Sequence, residues 1–334
     1  MLKFTDELDH VCTVLNGYES YLNGGNTDVA YTKSVLQLNG VNLPDVAGTE
    51  SFASAVKEGG KKMFDMVMAL LKRIKDFFFG IFGGKKAAAV ASAPTEIKSD
   101  LTEIKKAEIT KRAKEDVQKV LNKVKPAGTA IKATRVKLDK LKTMMKEELS
   151  EFNQDHLDTM NAVGFNKESL HMAITDKMAQ LATKFAVVSA RMVLGASLES
   201  IMKDIDDADP ESEKSFDIVI ETLERMESLA ATIPGARDQA KGNLAFTTDL
   251  TATAIKIMKE HGDDPKVQTA GTHVVSTLGK YNNLFSRIII MLDNLSLKCV
   301  EATKGVKKEV TGKDTRTELE KFEEFMSSDE QTQF

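Results

Sequence analysis

Apolar residues recur at three- and four-residue steps across long, heavily charged stretches of this 334-residue chain. Leu101, Ile104, Val117, Val120, Leu121 and Val124 keep that spacing up to Pro126, and Ile131, Val136, Leu138, Leu141, Met145, Leu149 and Phe152 resume it beyond. A strand alternates in twos and would turn half of the intervening lysines and glutamates into its core, so the pattern reads as helix. Composition points the same way. Tryptophan is absent, there are only four Tyr and six Pro, and Met reaches fifteen, a balance that disfavours strands and suits helices. The expected fold is all-α, an elongated bundle of long amphipathic helices.

Turn residues divide the chain into four expected stretches. Residues 1–48 read as short N-terminal helices: one from about Thr5 to Asn23, stopped by Gly24-Gly25, and one over Thr27–Leu38, followed by Asn39-Gly40 and Leu43-Pro44-Asp45. Residues 49–94 hold a Phe- and Lys-rich helix and a Gly/Ala linker closed by Pro94. Residues 95–308 form the main bundle, with breaks expected at Pro126, at Asp209-Pro210 and at Ile233-Pro234-Gly235. Its last helix starts at Asp264 as cap with Pro265 in the first turn. Within it, FAVVSARMVLGA, apolar almost all round, suggests the central helix. Residues 309–334 are an acidic tail.

The segment MFDMVMALLKRIKDFFFGIFGGKK, Met63 to Lys86, holds five of the sixteen phenylalanines. On a helix Met63, Phe64, Val67, Leu70, Leu71, Ile74, Phe77, Phe78 and Ile81 form one stripe, with Phe79 and Phe82 standing off it. Lys61, Lys62, Lys72, Arg73, Lys75, Lys85 and Lys86 supply basic flanks, and the pairs Gly59-Gly60 and Gly83-Gly84 read as hinges, the first interrupting the helix. Spanning a bilayer would bury the central charges at about 2.5–3.5 kcal/mol each, so a transmembrane role is excluded. Two readings remain for the stripe. It packs into the bundle, or it lies in a membrane interface or against a second subunit, which would also cover Phe79 and Phe82.

Charge is unevenly spread. Residues 57–148 carry 23 Lys/Arg against 12 Asp/Glu, a net of +11, and the remaining 23 basic and 38 acidic residues leave −15. Such opposite fields steer encounters with partners or with other copies of the chain. Nucleic-acid binding is disfavoured, because the lysines are interleaved with glutamates and no stacking aromatics follow Phe82. The N-terminus, MLKFTDELDHVCTVLNGY, has acids where a secretory signal needs positive charge, so Sec-type export is not expected. Cys12 and Cys299 lie too far apart in sequence to suggest a framework.

Reaction centres are not legible. GGKKAAA lacks the first glycine and the Ser/Thr of a phosphate loop, His10 and Cys12 point to different helical faces, and His156, His171, His261 and His273 are scattered without metal-site spacing. The acidic run 204–209 lacks the glycine and terminal Glu of a calcium loop. No catalytic residue, cofactor or metal is expected.

A long-helix chain with a segment of the KRIKDFFFGIFGGKK kind and no catalytic signature is similar to internal virion or ejection proteins of tailed bacteriophages. The resemblance implies synthesis in the host cytoplasm, packaging in the virion (capsid or tail), assembly with itself and with other virion proteins, and contact with the host membrane. The resulting expectation is a non-enzymatic protein meeting an anionic membrane through Met63–Phe82. A structural or assembly protein using the same helix as a subunit interface is the alternative. An α-helical pore-forming toxin is a third reading, poorly matched by a single stripe with charges at its centre.

Overall fold

Glycine pairs and prolines punctuate this chain less than packing does. The computed structural model describes residues 2–44, 50–107, 117–148, 152–193 and 214–312, and among these every regular element is a helix: α1 (Leu2–Leu22), α2 (Val29–Leu38), α3 (Glu50–Phe79), α4 (Ile81–Ala107), α5 (Val117–Glu148), α6 (Gln154–Ala162), α7 (Lys167–Val193), α8 (Lys214–Ala230), α9 (Ile233–Glu260) and α10 (Pro265–Thr311). The all-α expectation holds.

The chain divides into two compact units, each drawn from three stretches. One comprises Met1–Lys86, Leu138–Phe185 and Gly235–Met291; the other comprises Ala87–Lys137, Ala186–Pro234 and Leu292–Phe334. Neither follows a consecutive block such as 1–48, 49–94 or 95–308. Helices α4, α5, α7, α9 and α10 each give residues to both units.

In the first unit, α1 and α2 pack on each other and on α3. Gly17 permits the tightest of these contacts, since a Cβ there would lie 2.4 Å from the Asp28 carbonyl oxygen. The first half of α10 fills the centre: Val274, Val275, Leu278, Tyr281, Leu284, Phe285, Ile288 and Ile289 are all buried. Its polar residues are bonded within the core. Asn282 accepts from Thr247 at 2.7 Å and donates to Thr251 at 3.1 Å, which removes much of the cost of burying an amide. Asp264 caps α10, its carboxylate accepting from the backbone of Lys266 at 2.9 Å.

The second unit gathers Val90, Ile97, Leu101 and Ile104 of α4, Val120, Leu121, Val124 and Ile131 of α5, Val219, Leu223 and Met226 of α8, and Leu295, Cys299 and Val306 of α10. Lys307 is buried beside them, its ammonium 2.8 Å from Asp100 and 3.0 Å from Glu103. Around this cluster Lys304 faces Glu96 at 3.7 Å and Lys123 faces Glu309 at 3.8 Å.

Several boundaries differ from expectation. Gly59-Gly60 does not interrupt a helix: both lie inside α3, where a Cβ on Gly59 would sit 3.2 Å from the Tyr18 ring and one on Gly60 3.2 Å from its hydroxyl. The pair makes room for Tyr18, whose hydroxyl donates to the Val56 carbonyl. Pro94 and Pro126 are carried inside α4 and α5. An interior proline costs about 3 kcal/mol, which burial of Val90, Ala93 and Ile97 around one, and of Val124 and Ala127 around the other, offsets. Ile233-Pro234-Gly235 begins α9 rather than ending α8, as proline's missing N–H allows in a first turn. In the first unit the central helix is α10; of the expected 185–196 segment, residues 194–196 lie outside the described residues. In α7 only one face is covered, with Phe185 and Val188 buried and Val187 exposed. The 204–209 run and the 313–334 tail lie outside the described residues.

Candidate interaction site

Helix α3 forms because its apolar residues repeat at helical spacing, and the structure turns most of that stripe inward. Met63, Phe64, Val67, Leu70, Leu71, Ile74 and Phe78 are buried, and Phe77 is half-buried with its ring edge-on to Phe78 at 4.9 Å between centroids. In this state the stripe is core, so as a contact surface for lipid or for a second subunit it is unavailable. Ile81 departs from it altogether, being 79% exposed.

The departure has a local cause. The break between α3 and α4 falls at Gly80, not at either glycine pair. A Cβ on Gly80 would lie 2.3 Å from the Asp76 carbonyl oxygen, and one on Gly83 would lie 2.2 Å from that of Phe78. No side chain fits either place. Gly84, by contrast, faces open space. Hydrogen bonds from Gly80 N–H to Asp76 at 3.2 Å and from Gly84 N–H to Gly80 at 3.0 Å brace the junction. Gly83 thus packs closely against the backbone at the end of α3. The kink also resets the helical phase, which moves Ile81 out of register with Ile74.

What α3 presents outward is its opposite ridge. Met68, Lys72, Lys75 and Phe79 fall at i, i+4, i+7 and i+11 and therefore on one face, and all four are exposed, Met68 by 38% and Phe79 by 40%. Beyond the junction Ile81 and Lys85 extend the exposed set. The cations are placed around the rings: Lys241 of α9 lies over Phe79 at 5.0 Å and Lys86 over Phe77 at 5.6 Å. Such contacts hold an ammonium beside an apolar face at little cost. Lys75 is paired with Asp249 at 3.0 Å and Arg73 with Glu7. Lys72 and Lys85 have no acidic partner among the described residues. Near Met68 a shallow depression is lined by Ala252, Ile255, Lys256 and Lys259.

Of the expected basic flank, Lys61, Lys62, Lys72, Arg73, Lys75 and Lys85 are exposed and Lys86 is half-buried. The side chains of Phe82 and His171 lie outside those described. Sequence spacing marked Phe79 as off the stripe but passed over Met68, although its i+4, i+7 and i+11 neighbours were legible. Among the described residues no helix is long and apolar enough to cross a membrane, and no group of three or more His, Cys, Asp or Glu could hold a metal ion. No protein-family model, curated protein or solved structure matches this chain.

Proposed function

We propose that this chain is a non-enzymatic, virion-associated helical protein that attaches to an anionic membrane surface through the outer ridge of α3 and the Gly80 junction. The observation that carries the membrane reading is the interleaving of exposed apolar side chains, Met68, Phe79 and Ile81, with lysines at 72, 75 and 85. Lysines near an anionic leaflet contribute about 1 kcal/mol each, while Phe and Ile enter the headgroup boundary. A protein partner would favour a wider apolar centre than three residues separated by cations. The helix stays folded in the bundle, so attachment is peripheral and the buried stripe is not released.

The virion setting, with copies of itself and other virion proteins as partners, is supported by the similarity of the Lys/Phe segment and long charged helices to internal phage proteins. Flotation with anionic and neutral vesicles tests the attachment. Wild-type protein is expected to float with anionic vesicles, and a Phe79→Ser/Ile81→Ser variant of unchanged size to stay behind. Equal flotation of both would remove the site. If neither floats and the variant alone loses an oligomeric state, the ridge is a subunit contact instead.

A further inference from the structure

Two histidines 117 positions apart in sequence meet in the first unit: the rings of His156 (α6) and His273 (α10) lie 4.7 Å apart between centroids. The contacts of His273 fix its proton. Its Nε2 accepts from the backbone N–H of Asn153 at 3.0 Å, so Nδ1 carries the hydrogen and donates to Glu19 of α1 at 2.6 Å. Asn153 is the N-cap of α6, its side-chain oxygen accepting from the backbone of Asp155 at 2.9 Å and of His156 at 3.4 Å. One neutral imidazole therefore ties the start of α6 to α1 and α10. Phe152, next to the cap, stacks on Tyr281 with centroids 6.0 Å apart.

We propose that the His156–His273 pair is an acid-released latch, holding the start of α6 against α1 and α10 at neutral pH and letting it go when the pair takes up protons. A proton on His273 converts Nε2 from acceptor to donor and sets it against the Asn153 N–H, which then has no partner there. A proton on His156 Nδ1 is no better placed, because that buried nitrogen has no hydrogen-bond partner. Two charged rings at 4.7 Å would also repel.

The ionisable groups around the pair are Glu19 of α1, Asp155 of α6 and Lys280 of α10. Glu19 and Asp155 favour the charged rings and Lys280 opposes them. Burial, followed by the neighbouring His273, holds His156 below the ordinary imidazole value despite both carboxylates. Burial pushes Glu19 up, but hydrogen bonds from His273 and Ser276 outweigh it and keep its carboxyl below the usual range. It therefore remains an acceptor across the window in which histidines titrate.

The sign follows from linkage. His156 is held below the ordinary imidazole value only while α6 is docked, so the detached α6 takes up its proton more readily and docking weakens as pH falls below the ordinary histidine value of about 6.5, by about tenfold per pH unit for one linked proton. Amide hydrogen exchange of residues 153–162 at pH 7.5 and 5.5, corrected for intrinsic rates, reads this directly. Protection in wild type is expected to fall about tenfold at pH 5.5 for one linked proton, while α8 stays unchanged. A variant carrying both His156→Gln and His273→Gln, in which neither side chain takes up a proton and the amide at 273 can still donate to Glu19 and accept from Asn153, should keep α6 protected at both pH values. Equal protection of wild-type α6 at the two pH values, or a loss shared by α8, would overturn the latch. So would the same pH-dependent loss in the glutamine variant. The wild-type comparison decides alone if that variant does not fold.

Discussion

Replacing Phe78 and Phe79 by alanine, one at a time, separates the two faces of α3. Phe78 is 2% exposed and Phe79 40% exposed, although they are adjacent. A phenylalanine removes about 150–250 Å² from water, worth about 4–6 kcal/mol at 25 cal/mol per Å². Subtracting what alanine retains leaves about 3–5 kcal/mol for a buried Phe-to-Ala change. Loss of the edge contact to Phe77 falls within that range. For Phe79 a good part of the area is already wet, and the Lys241 contact adds only about 0.5–1 kcal/mol, so a cost near 1 kcal/mol is expected. Urea unfolding followed by circular dichroism, with the m-value checked against wild type, gives both numbers. Equal losses for the two variants, or a loss under about 1 kcal/mol for Phe78→Ala, would refute the placement of the stripe in the core.

At the junction, Gly83→Ala should destabilise, because its Cβ meets the Phe78 carbonyl, whereas Gly84→Ala should be neutral or stabilising by about 0.4–1 kcal/mol; thermal melts of the two variants check this. Lys307→Ala should cost about 3–5 kcal/mol by leaving Asp100 buried beside an empty place, measured by denaturant unfolding. Burial pushes the Lys307 ammonium down, but hydrogen bonds to Asp100 and Glu103 outweigh it and raise its pKa above the ordinary lysine value. The pair's stabilisation is therefore complete below about pH 10.4 and fades as pH rises through the folded value, to be read from the unfolding midpoint across that range. Cys299, fully buried and pushed up to about 12, should resist alkylation at pH 8 until the protein unfolds, which mass spectrometry of the labelled peptide would show.

Periodicity was enough to find the long helices, because burying one face of a long amphipathic segment leaves few alternatives, but the nine-residue α6 is too short to carry such a pattern. Periodicity did not say which long segment lies at the centre. Phe185 to Ala196 is richer in apolar residues over a short window, but α10 sustains its burial by satisfying Thr and Asn inside the core, as Asn282 does with Thr247 and Thr251. Nor did it say where glycines bend the chain. Gly59-Gly60 looks like a break and is instead a seat for Tyr18, while Gly80, a lone glycine between two phenylalanine-rich turns, makes the kink. Carrying the α3 phase through Gly80 put Ile81 on the wrong face. The His156–His273 encounter rests on a tertiary contact across 117 positions, for which local spacing holds no signal.

The absence of tryptophan makes a single introduced one a clean reporter of the membrane site. An Ile81→Trp variant, titrated with anionic vesicles made with and without brominated acyl chains, tests attachment at the junction most directly. A blue shift of its emission with vesicles and strong quenching by the brominated chains is the expected result. Unshifted, unquenched emission from protein that is bound to the vesicles would mean that lipid is met elsewhere on the molecule, and the ridge of α3 would lose its proposed role.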